Sequence, residues 1–100
     1  MLVLRVGITD DTTSKDLDRY FTNIWYHRQR VKLIFDTTQC SNLSLRKILT
    51  IKDVLDKHRE NSRMYIDHSN IIVKNGFIRN MLRIALCIMK TERPVKISRV

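Results

Sequence analysis

The stretch that decides the fold is Phe35–Leu49, FDTTQCSNLSLRKIL. An apolar run ends in an acid, Asp36, and a string of small hydroxyl and amide residues follows. A helical pattern then begins, with Leu45, Ile48, Leu49, Ile51, Val54 and Leu55 at helical spacing. Upstream, Val31, Leu33, Ile34 and Phe35 are nearly continuous apolar residues. That pattern predicts a strand covered on both faces. Ser41, Asn42 and Ser44 are the residue types that cap a helix N-terminus. The unit is therefore strand, loop, helix.

The pattern repeats outward. Met1–Ile8 (MLVLRVGI) reads as a strand interrupted by Arg5. Thr12, Thr13 and Ser14 offer N-cap hydroxyls, and Asp16 and Asp18 follow in the first turn, where the helix dipole favours acids. Leu17, Tyr20, Phe21, Ile24 and Trp25 form one helical face, which ends in the cations of His27–Arg30. The second helix is expected to end near Arg59 or Glu60. Met64–Ile66 reads as a short strand or a loop on the core, and Ile71–Val73 as a third strand. Asn75-Gly76 makes a turn, with Asn75 placed to cap a helix over Phe77–Lys90. Pro94 ends that helix, and Val95–Val100 reads as an exposed final strand. The order β-α-β-α-β-α-β predicts a small α/β domain, a mostly parallel four-stranded sheet with three helices. Sites in such folds form at the carboxyl ends of the strands, here 7–13, 36–44 and 74–76.

One hundred residues make one domain, 43% hydrophobic and 29% charged, a globular balance. Arg5 and the acids after Gly7 interrupt the N-terminal apolar run, so no signal peptide is expected, and no apolar stretch suggests a transmembrane segment. Cys40 and Cys87 lie far apart with no CxxC spacing, and read as free thiols of a reducing, cytoplasmic setting. The formal net charge is +9. Residues 71–100 hold seven Lys/Arg and one acid, so two-thirds of the excess lies in the last third. That balance points to an acidic partner: protein, acidic lipid or nucleic acid.

Few chemistries fit. Asp10, Asp11 and Asp36 follow two strands and would meet at one rim if those strands were neighbours, as a Mg²⁺-dependent phosphoryl enzyme requires. Acids are also ordinary turn residues, and no metal is expected. With only Gly7 and Gly76, there is no glycine-rich phosphate loop. His27 and His58 sit at polar helix ends and read as surface residues. His68 lies beside Asp67 and Ser69, but no nucleophile elbow accompanies it, and Cys40 with His68 has nothing else in support. No catalytic residue and no cofactor is assigned. Arg79, Arg83, Lys90, Arg93 and Lys96 form the candidate anion-binding set for lipid head groups or nucleic acid. Stacking aromatics for RNA on an open sheet are missing, since Tyr20, Phe21 and Trp25 belong to a core face.

The run FDTTQCSNLS between strand and helix resembles the middle of the STAS domain, the SpoIIAA-like fold of anti-sigma-factor antagonists, over roughly residues 31–97. The resemblance implies a non-enzymatic, regulatory protein-binding module. Its partner loop would comprise Thr37, Thr38, Ser41, Asn42 and Ser44 with Arg46 and Lys47, and a Ser/Thr at the helix start would be phosphorylated by a partner kinase. This chain carries Ser41-Asn42-Leu43-Ser44 where such domains show an Asp-Ser-Ser/Thr-Gly type sequence. The related CRAL-TRIO fold is the close alternative, on the likeness of the Phe77–Lys90 helix and the basic RPVKISRV end, and it implies contact with phospholipid head groups. An exposed last strand could also pair between copies as a homodimer.

Overall fold

The computed structural model describes residues 1–88 and 93–100. The elements run β1 (Leu2–Thr9), α1 (Ser14–Trp25), β2 (Val31–Gln39), α2 (Leu45–Lys57), α3 (Arg59–Tyr65), β3 (Ile66–Val73), α4 (Gly76–Ile88) and β4 (Val95–Arg99). All four strands are parallel and lie side by side in chain order, β1-β2-β3-β4. The expected α/β class and the alternating order are observed, with four helices rather than three. The expected end of the last long helix, Lys90 included, lies outside the described residues.

A sheet laid down in chain order has a consequence. Each crossover steps in the same direction, and connections of one hand then place every helix on the same side. Leu17 and Phe21 of α1, Ile48 and Ile51 of α2, and Ile78 and Ala85 of α4 all lie over one sheet face. That face is built from Leu4, Ile8, Leu33, Phe35, Ile71, Val73 and Ile97 with their neighbours in register. Val31, Leu33 and Val73 are fully buried there.

The alternate residues point the other way. Val3, Arg5 and Gly7 pair across to Lys32, Ile34 and Asp36, and these to His68, Asn70 and Ile72. Lys96 and Ser98 complete the rows on β4. Side-chain bonds from Arg5 to Asp36 and from Ser98 to Asn70 confirm that these residues share a face. No described helix covers it. The expectation that β2 is covered on both faces is therefore corrected: Leu33 is buried, whereas Ile34 is only partly so. Continuous apolar residues made the strand look two-sided, because Ile34 is apolar on the open side.

Local chemistry sets the boundaries. Thr13 and Asp16 form a reciprocal capping box at α1. Arg28, with φ of 47°, turns the chain out of that helix into β2. Ser44 caps α2 by accepting from the Lys47 amide. Asn75 accepts from the Phe77 amide at the start of α4, as expected. The second helix breaks at His58, earlier than expected, and a separate turn of helix, α3, runs to Tyr65. Met64 and Tyr65 are thus helical, and β3 begins at Ile66.

The break has a side-chain cause. His58 is only 6% exposed, which corrects its reading as a surface residue. Its ring stacks on Phe21. Trp25 donates its indole N–H to Nδ1 at 3.0 Å, and Nε2 lies 2.6 Å from the Asp18 carboxylate. An indole N–H can only donate, so Nδ1 accepts and the ring proton sits on Nε2, aimed at Asp18. One imidazole thus fastens the end of α2 to α1.

Candidate functional site: the Asp10–Ser41 rim

The parallel register places the ends of β1 and β2 side by side, with Thr9 opposite Gln39. The turn after β1 carries Asp10, and the segment after β2 carries Cys40–Ser44. Asp10 gathers that segment onto itself. Ser41 donates its hydroxyl to Oδ2 at 2.5 Å and its amide to Oδ1 at 3.0 Å, and the Asn42 amide donates to Oδ1 at 3.2 Å. Lys47, from the first turn of α2, donates its ammonium to the Asp10 carbonyl at 3.2 Å. The Ser41 hydroxyl, then the Ser41 and Asn42 amides, hold the Asp10 carboxyl below its ordinary pKa. Cys40 donates its thiol to the Ile8 carbonyl, and partial burial pushes that thiol up, away from the reactive thiolate.

The expected partner loop thus divides in three. Thr37 and Thr38 belong to β2 rather than to a loop. Thr37 is buried on the helix side and donates to the Ile72 carbonyl, while Thr38 lies on the open side and donates to Asp36. Ser41 and Asn42 form the segment tied to Asp10. Ser44, Arg46 and Lys47 open α2, where Ser44 is occupied as its cap and Arg46 is exposed. Asp10 is the residue sequence reasoning missed in this role. It had been marked as one of three acids, and only the neighbouring of β1 and β2 turns it into the acceptor for Ser41.

The three acids do not form a cation site. Asp36 is taken up by the Thr38 hydroxyl and amide and by Arg5 at 2.6 Å, which together lower its pKa to about 2. Among the described residues no three His, Cys, Asp or Glu come together. His68 faces Asp67 at 2.7 Å and does not join Cys40 among the described bonds.

The basic set is divided between the two sides of the domain. Arg79 and Arg83 belong to α4 on the helix side, while Lys96 lies on the open face. Arg93 donates Nε to the Ile66 carbonyl, and Lys90 lies outside the described residues. Both cysteines are free. No described helix is long and apolar enough to cross a membrane.

No family of known proteins, no curated protein and no solved structure matches this chain.

Proposed function

We propose that the protein is a non-enzymatic interaction module of STAS-like type whose partner surface is switched at Ser41. The observation that carries this reading is the Asp10 carboxylate, which accepts from three donors, the Ser41 hydroxyl and the Ser41 and Asn42 amides. A phosphate on Ser41 removes the hydroxyl donor and puts close to two negative charges beside a carboxylate that the unmodified site keeps ionised. Like charges at that distance repel, so residues 40–43 leave Asp10. The released phosphate has Arg46 and Lys47 within the same helix start as partners. The rim thus has two arrangements of different charge and shape, as a partner-selecting module requires.

A protein partner is favoured over nucleic acid by the open face. Its rows carry Val3, Ile34 and Ile72 among Arg5, Lys32 and Lys96, and among the described residues they hold no Phe, Tyr or Trp for a base to stack on.

The test is capture of partners from the native host at rising salt, using wild type, Ser41→Ala and protein with phosphoserine at position 41. The reading predicts a protein partner retained at raised salt by one state of Ser41 and lost by the other. Capture that is identical for all three, or that consists only of nucleic acid or lipid released at modest salt, overturns it.

A further inference from the structure

Between the sheet and the helices the core is not filled. A cavity of about 180 Å³ lies over the middle of the covered face. Its walls are largely apolar, with Leu33, Phe35 and Ile71 of the sheet on one side and Phe21, Ile48, Leu82 and Ala85 of the helices on the other. Native cores of this size are close-packed and seldom leave voids larger than a water. An engineered apolar cavity of about 150 Å³ stays dry and takes up benzene. The space here is of similar volume and is partly open to the surface.

Polar residues also line it, among them Thr37, Lys47, Ser62, Ser69 and Arg93. Ser69 sits in the centre of β3, between Leu33 of β2 and Val95 of β4, on the covered face. It is 6% exposed and lines the cavity. Among the described residues its hydroxyl has no hydrogen-bond partner, and its oxygen is not sealed inside the core. The Ser69 oxygen therefore borders the empty space. Thr37, another hydroxyl in the lining, is already committed to the Ile72 carbonyl. The Ser69 hydroxyl is open to a partner in the space, which a valine or alanine at this place in the strand could not offer.

We propose that this cavity binds a small, mainly apolar molecule of ring size carrying a single hydrogen-bonding group, which pairs with the Ser69 hydroxyl. Phenols and indoles have this shape and chemistry. A fully apolar ring fills the space but leaves Ser69 unpaired.

The experiment compares p-cresol with toluene, which differ by one hydroxyl, by thermal shift and by NMR titration of the intact chain. The binding model predicts that both perturb the methyl groups of Leu33, Ile48 and Ala85. It also predicts that cresol binds about threefold to tenfold tighter once the greater water solubility of cresol is corrected by its transfer free energy. Ser69→Ala removes that preference while toluene binding persists. Ala85→Leu, which occupies the space, weakens both ligands. Should Ala85→Leu fail to fold, Leu82→Phe serves the same purpose. The proposal is overturned if neither ligand perturbs those methyl groups, or if the cresol preference is unchanged in Ser69→Ala.

Discussion

The two faces of one sheet are built from the same strands and could hardly differ more. Toward the helices, Val31, Leu33 and Val73 are fully buried. Toward solvent, the neighbours in sequence are Lys32, Ile34, Ile72 and Lys74, none of them buried. The difference follows from topology. Strands laid in chain order with crossovers of one hand send every helix to one side. Parallel sheets are nearly always covered on both faces, so a bare face is unusual. The covered face holds the stability, and the open face contributes little to it.

Adjacent residues give the sharpest way to break this comparison. Leu33→Ala should cost about 2–5 kcal/mol in urea denaturation, through lost burial and the cavity it adds. Ile34→Ala, one residue on, should cost about 1 kcal/mol or less. Equal losses would mean that the open face is covered in solution. The Trp25–His58 bond comes next. Trp25→Phe leaves the His58 Nδ1 buried without a donor and should cost about 1–3 kcal/mol. A cost near zero would show that the imidazole does not fasten α2 to α1.

The smallest effect lies on the open face. Asp36 has a folded pKa of about 2, below the ~3.9 of an unfolded chain. A carboxyl depressed on folding adds stability that is present above the unfolded pKa and disappears as pH falls through the folded one. The Asp36 contribution should therefore be whole at pH 5 and fade between about pH 4 and pH 2. Urea midpoints measured across that window should fall more gently in Asp36→Asn than in wild type. Added salt should shrink the difference, because Arg5 is largely exposed. Parallel curves would remove Asp36 from the account.

Much of the covered face was legible in the chain. The helical spacing of Leu17, Phe21 and Ile24 declares a buried side, because periodicity is local. One-sidedness was not legible. Ile34 and Ile72 are apolar on the open face, so β2 and β3 look uniformly buried. The burial of His58 was hidden for another reason. It depends on Trp25 and Asp18, 33 and 40 residues away, and its helix-end position looks polar by itself. The rim was half legible. Asp10 and Ser41 each stood out by type, but their bond spans 31 residues and exists only because β1 and β2 are neighbours.

The most direct test of the switch is amide hydrogen exchange at Ser41 and Asn42, compared between unmodified protein and protein phosphorylated at Ser41. Bonds to a charged carboxylate are worth about 1.5–3 kcal/mol, so their loss should speed exchange at these two amides by about tenfold to a hundredfold. The amides of Leu33 and Val73 should keep their protection. Unchanged protection at Ser41 and Asn42 in the phosphorylated protein would contradict the account, because the two amides would then still be bonded to Asp10.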